Sequence, residues 1–223
     1  MCGRFSLHTP ESRVREAFNL EQIEPLGLNP RFNIAPSQDI PIVRDTDTGP
    51  EMTLARWGLV PSWSKESKSK YSTINARIES VADKPTYRTP FKRRRCLIPA
   101  DGFYEWQQVT GSKVPHHICM KDGKVFAFAG LWDHWEGEGK TLDSCTIIVM
   151  PSNEVMRPIH ERMPAIIAPA HYELWLDSRI TDKQEIMQYL TSAPSSQLTA
   201  YPVSTWVNSP KNNDERCIQP AGA

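Results

Sequence analysis

The sequence predicts an α+β protein dominated by strands: a curled mixed sheet or barrel-like core with peripheral helices. Three observations carry this. Short runs of alternating apolar and polar residues recur through most of the chain between Gly-, Asp- and Pro-rich turns, enough for about eight to ten strands. Helical periodicity is confined to a few short segments. The 223 residues suffice for one domain with a substantial core and fall short of two average ones, so residues 1–223 are expected to form a single domain.

In chain order, Thr9-Pro10-Glu11 reads as a helix start, with Thr as N-cap, Pro at the first helical position and an acid in the first turn. Val14 and Phe18 fall on one face, and the helix should end near Asn19. Residues 21–30 read as loop, and Arg31-Phe32-Asn33-Ile34-Ala35-Pro36 as an ordered, non-regular segment. Residues 40–44 and 52–60 read as strands around a turn-rich 45–50, with a bulge where alternation slips at Ala55-Arg56. The motif Trp57-Gly58-Leu59-Val60-Pro61-Ser62-Trp63 runs into a Ser/Lys stretch ending at Lys70, expected to be a mobile surface loop. Trp57 is expected in the core. Trp63 fits either the core or a surface on which bases stack, and the surface is favoured.

Residues 71–80 read as a strand with Thr73, Asn75, Arg77 and Glu79 on one face and Ile74, Ala76 and Ile78 on the other. The polar face is either a solvated surface or the lining of a cleft, with Arg77 suited to phosphate and Asn75 to a neutral polar atom. Residues 96–100 and 102–106 read as strands joined by a tight Asp101-Gly102 turn. Glu105 lies within Phe103-Tyr104-Glu105-Trp106. A carboxylate there either faces solvent or is buried for general acid or base work. Three more strands are expected over 115–121, 124–132 and 144–150. Next, Pro158 and Pro164 bracket His160 and Arg162 in a rigid, non-helical segment. Helices are expected over 171–176 and 181–190, the second with a Thr181/Gln184 capping box, then a strand over 199–204 and a tail packed near Cys217-Ile218.

Formal net charge is zero, yet between Trp63 and Arg95 ten basic residues face three acidic ones. A one-sided basic region on a neutral protein suits a local nucleic-acid groove as well as a solvated face. Five widely spaced cysteines (Cys2, Cys96, Cys119, Cys145 and Cys217) make no disulfide framework. No C-x-x-C occurs, and adjacent His116 and His117 would point to opposite faces of a strand, so no metal site is expected. No apolar run is long enough to span a membrane and no signal-peptide pattern opens the chain, so a soluble, cytoplasmic protein is expected.

Cys2 follows the initiator Met, whose removal would leave an amine and a thiol on one residue. Such a 1,2-aminothiol condenses with an aldehyde to a Schiff base, which the thiol closes to a five-membered thiazolidine. An internal Cys cannot do this, because its nitrogen is an amide.

Six motifs occur in order: Met1-Cys2-Gly3-Arg4-Phe5, Asn33-Ile34-Ala35-Pro36, Trp57 to Trp63, Asn75-Ala76-Arg77-Ile78-Glu79, Asp101 to Trp106, and His160-Glu161-Arg162-Met163-Pro164. Together they resemble the SOS response-associated peptidase (SRAP) family, the abasic-site-processing proteins, over nearly the whole chain. The resemblance implies a mixed β-barrel-like fold with a positively charged channel that receives single-stranded DNA carrying an abasic site, often at a junction with duplex. It implies no cofactor and no metal, a protein acting as a monomer and associated with the nucleoid when on DNA, and a thiazolidine crosslink that shields the lesion. Cys2, Asn75, Glu105 and His160 match the family's active-site residues. Arg4, Arg77 and Arg162 match its contacts to the DNA backbone, and Pro36 and Trp63 resemble its wedge and stacking positions. Two other chemistries fit an N-terminal Cys: an N-terminal-nucleophile amidohydrolase acting on glutamine, and a thiol (auto)peptidase pairing Cys2 with His160. Simple single-strand binding without chemistry is the remaining reading.

Overall fold

A computed structural model describes residues 2–67 and 72–222. Met1, Lys68, Lys70 and Tyr71, which enter the expectations above, lie outside the described residues. The elements in chain order are β1 (Phe5–Leu7), α1 (Glu11–Ala17), β2 (Arg31–Ile34), β3 (Asp39–Thr46), β4 (Gly49–Trp57), β5 (Asn75–Arg77) and α2 (Arg88–Arg93). They continue with β6 (Arg95–Ala100), β7 (Gly102–Val109), β8 (Ser112–Met120), β9 (Phe126–Gly137), β10 (Lys140–Pro151), β11 (Arg162–Pro164), β12 (Ile166–Ile167), α3 (Tyr172–Leu176), α4 (Lys183–Met187) and β13 (Leu198–Pro202).

The strands form two sheets. One is antiparallel, in the order β13-β8-β7-β1-β2. In the other, β10, β4, β3, β6 and β9 close on themselves, because β10 pairs with β9 along one edge and, in parallel, with β4 along the other. The β-rich, barrel-like expectation is met. β9 and β10 meet through Glu138-Gly139, both with positive φ (53° and 69°), the backbone of a tight two-residue hairpin turn. At Gly130, between Cys96 and Ile147, a Cβ would come within 2.7 Å of the Cys96 Sγ, so this part of the barrel admits no side chain.

Phe5 joins the two sheets. Its ring lies edge-on to Trp57 at 5.3 Å and to Phe128 at 5.7 Å, and Phe103 also meets Phe128. All four rings are fully buried, each burial contributing about 2 kcal/mol or more of transfer free energy. Packing Phe5 this way fixes the residues before it, Cys2 to Arg4, against the barrel.

Several local expectations are corrected. Residues 31–34 are strand, paired antiparallel with β1. The β3–β4 ladder runs without a register shift from Asp39↔Arg56 to Thr46↔Gly49, so there is no bulge at Ala55. Ala55 and Trp57 face the core and Leu54 faces out, and it was the outward apolar Leu54 that mimicked a slip. Asp101 does not join a hairpin, because β6 and β7 belong to different sheets. Its buried carboxylate instead accepts from the His8 and Thr9 amides and the Thr9 hydroxyl. Burial would raise its pKa, but these hydrogen bonds hold it below the ordinary value. Thr9 is thereby spent and does not cap α1, whose N-cap is Pro10. In α4 the cap is Asp182, whose side chain accepts from the Glu185 amide, not Thr181.

Candidate active site

The site grows from the pairing of β1 with β7. Phe5 lies opposite Phe103, and the Tyr104 amide donates to the Arg4 carbonyl at 2.9 Å. Cys2 lies two residues before Arg4, close enough to Glu105 on β7 for the carboxylate's charge to act on its thiol. Cys2 is fully buried and Glu105 nearly so. Burial first, and then the Glu105 carboxylate, push the Cys2 thiol far above the ordinary thiol range.

The loop bearing His160 is tied to the same strand. Gln107, two residues beyond Glu105, donates its side-chain amide to the Pro158 carbonyl at 3.1 Å. The Arg162 amide donates to His160 Nδ1 at 3.0 Å. The same Nδ1 also lies 3.3 Å from the Arg162 carbonyl, so both contacts hold the imidazole ring against the Arg162 backbone.

Asn75 and Arg77 lie on β5, which runs parallel to β10 with Ile147 opposite Asn75 and Val149 opposite Arg77. On the other side of the same β10 stretch, β11 sets Pro164 opposite Val149 and Arg162 opposite Pro151. The two short strands thus bring Arg77, Glu79 and Arg162 to one region, where Arg162 forms an ion pair with Glu79. Arg77 is exposed. The Asn75 Nδ2 donates to the Ile74 carbonyl at 2.8 Å, while its Oδ1 is buried and accepts no hydrogen bond within the described residues.

Arg4 is held from behind. Its guanidinium donates to the Asn33 Oδ1 at 2.7 Å and to the Val207 carbonyl at 3.0 Å, and lies over the Trp106 ring. Asn33, buried, passes its own amide hydrogens to the carbonyls of Val207, Ser209 and Asn212. The C-terminal segment therefore braces the start of β1. Sequence reading assigned no role to Asn33 or Gln107. For Gln107 a signal was present, since it shares a strand face with Glu105; for Asn33 the carbonyls it holds lie more than 170 residues away and nothing local announces them.

Pro36 is half-buried and, with Arg56, Trp57, Gly58, Thr73 and Ile74, lines a cavity of about 600 Å³. Trp63 stands apart from that cavity and is 64% exposed. The basic segment is only partly available. Arg95 is buried, its guanidinium donating to the carbonyls of Phe91, Lys92, Trp175 and Asp177. Arg94 pairs with Asp133, and Arg93 bonds the Ser178 carbonyl. Lys92 and Arg88 are exposed.

Residues 1–210 match the family described as SOS response associated peptidase (SRAP). The chain belongs to the SRAP family. It is 41% identical to the abasic site processing protein YoqW of Bacillus subtilis (strain 168) over 222 residues, covering 98% of this chain and 99% of that one. It is 32% identical to the abasic site processing protein HMCES of Gallus gallus, covering 99% of this chain and 78% of the relative. A crystal structure of a protein from Bacteroides thetaiotaomicron superimposes with a TM-score of 0.87 at 25% identity, covering 99% of this chain and all of that one. Among the described residues of this SRAP chain, no helix is long and apolar enough to cross a membrane.

Proposed function

We propose that this SRAP protein processes abasic sites in DNA by capturing the ring-opened sugar aldehyde of single-stranded DNA on Cys2, once Met1 has been removed. The observation that carries the reading is the setting of Cys2: a fully buried residue beside Met1, with the nearly buried Glu105 carboxylate close enough for its charge to act on the thiol. Once Met1 is gone, Cys2 carries an amine and a thiol on one residue beside a carboxylate able to move protons, which suits aldehyde condensation followed by ring closure.

The steps balance as follows. The Cys2 nitrogen bonds to the aldehyde carbon, and a proton passes from nitrogen to oxygen to give a carbinolamine. Loss of that hydroxyl as water leaves an imine. The Cys2 sulfur then adds to the imine carbon while its proton goes to nitrogen, closing the thiazolidine with net loss of one water. Glu105, beside the thiol, is suited to take and return these protons. His160, its ring fixed against the Arg162 backbone, exchanges a proton with the sugar oxygen during ring opening. The Asn75 Oδ1 is an acceptor for the amine or a sugar hydroxyl. Arg77 and Arg162 face backbone phosphates, Arg4 orders the N-terminal residues and the nearby phosphate, and Pro36 and Trp63 hold the strand open on either side.

Ring closure protects the strand, because an open imine acidifies the neighbouring carbon and invites β-elimination of the phosphate. The test is a heat-stable protein–DNA product formed with an abasic oligonucleotide. Cys2→Ala should give none, and Cys2→Ser should trade stable capture for strand nicking. A heat-stable product from Cys2→Ala at wild-type yield overturns the reading. Release of ammonia from glutamine, or cleavage of added peptides without DNA capture, would transfer the chain to one of the other N-terminal Cys chemistries.

A further inference from the structure

The residues assigned to the chemistry come from two different sheets. Cys2 and Arg4 lead into β1, and Glu105 lies on β7, both strands of the five-stranded sheet. Asn75 and Arg77 on β5, Arg162 on β11 and His160 two residues before it belong to the sheet that contains β10. Chemistry at Cys2 with a proton from His160 thus depends on the spacing of the two sheets at this point. The loop that carries His160 is stiff within itself. Its neck closes where the Ser152 amide donates to the Glu161 carbonyl at 3.0 Å. The Asn153 Oδ1 accepts the Met156 amide at 3.1 Å, and the Ile159 and His160 amides both donate to the Met156 carbonyl, at 2.8 and 2.9 Å. Met156 is fully buried. Gln107 links this loop across to the other sheet, its Nε2 donating to the Pro158 carbonyl at 3.1 Å.

We infer that Gln107 is a positioning residue: a strut between the two sheets that fixes the His160 loop against the strand bearing Glu105 and so aligns the His160 ring with the aldehyde held at Cys2. The inference rests on the proposed capture of an abasic-site aldehyde. Gln107 and Glu105 share a strand face about 7 Å apart, and Pro158 precedes His160 by two residues. The strut therefore meets each arm one step from a reacting group. The Pro158 ring fixes its own φ, so a pull on its carbonyl moves the loop as a body. The His160 ring is held against the Arg162 backbone and travels with that loop. Gln107 is half-buried and Pro158 exposed, so the bond adds little to the core, and its loss changes alignment more than folding. Arg77 and Arg162 are carried by β5 and β11, which pair with β10 through their backbones and do not depend on the strut.

The test is single-turnover crosslinking of an abasic oligonucleotide, reading the half-saturating DNA concentration and the saturating rate separately. Gln107→Met keeps the length of the side chain and cannot donate. It should lower the saturating rate about 10-fold, less than the ~10²-fold cost of a full 1 Å misplacement, and leave the half-saturating concentration within about 2-fold. Gln107→Lys supplies a donor of sufficient reach and should recover most of the rate. In a His160→Ala background, Gln107→Met should have no further effect. An unchanged saturating rate in Gln107→Met, a loss confined to the half-saturating concentration, or an equal loss without His160 overturns the strut. A readout without DNA separates the strut from the capture chemistry. The His160 ring resonance in the NMR spectrum of the free protein should shift or broaden in Gln107→Met and return in Gln107→Lys. A moved resonance supports the strut even if the wild-type protein forms no crosslink, and an unmoved one overturns it even where crosslinking falls.

Discussion

Two regions of this molecule are rich in arginine, and they use it in opposite ways. Along α2 and the start of β6, Arg93, Arg94 and Arg95 are engaged by backbone carbonyls and by Asp133. Around β5 and β11, Arg77 is exposed and Arg162 is held by one partly exposed acid, Glu79. The first region looks like a DNA-binding stretch in the sequence and serves largely as a clamp between α2 and α3. The second carries fewer charges and leaves them where a phosphate can reach them. A count of cations in a segment therefore overstates the charge available to a ligand, because buried guanidinium groups with several carbonyl acceptors are already committed.

Arg95 gives the largest effect that would sharpen this contrast. Arg95→Ala strands four carbonyls and removes a buried cation, and should cost about 3 kcal/mol or more of stability in chemical denaturation. Crosslinking per folded molecule should be unchanged, and a selective loss of DNA binding in a stable Arg95→Ala protein would break the contrast.

A second structural group predicts a pH dependence of similar size. His117 is buried between Ser6, at 3.2 Å, and Tyr201, at 3.0 Å, and burial pushes it down to about 4. Between the ordinary value of 6.5 and about 4 the unfolded chain binds a proton that the folded one refuses. Stability should therefore fall as pH falls through that window, by about 3 kcal/mol in all. Thermal unfolding from pH 7 to 4 reads this, and His117→Gln should flatten the curve relative to wild type.

On the exposed side, Arg77→Ala should leave stability within about 0.5 kcal/mol. It should weaken binding of abasic single-stranded DNA about 10-fold and reduce the salt slope by about 0.7, the loss of one phosphate contact. The smallest effect is expected for Lys92→Ala, about 2-fold in binding with no stability change, because one solvated cation off the site adds only a weakly screened field. A larger loss for Lys92 than for Arg77 would reverse the assignment of the two regions.

The same contrast explains what the sequence could and could not say. Short apolar runs between turn residues located β3, β9 and β10, whose central residues are buried one after another, and partial alternation located β8 in the other sheet. The division of β6 and β7 between two sheets was hidden, because Asp101-Gly102 carries the signature of a tight turn whether or not the flanking strands pair. At the site, Cys2, Glu105 and His160 stood out as chemistry-bearing residues in unusual local settings. Their supports were less legible: Asn33 acts on carbonyls brought close only by the fold, and Gln107, although on the Glu105 strand face, meets Pro158 only in the folded chain. Arg95 misled for the same reason, since two of its acceptors, Trp175 and Asp177, lie some eighty residues away.

The central claim is that Cys2, with Met1 gone, condenses with the aldehyde of an abasic site. Intact-mass analysis of the denatured product of wild-type protein and an abasic single-stranded oligonucleotide tests it directly. The account predicts one species whose mass is protein lacking Met1 plus DNA minus one water, mapping to Cys2 on digestion. A protein shown to lack Met1 that yields no such species, or one whose DNA maps to a lysine, would contradict it.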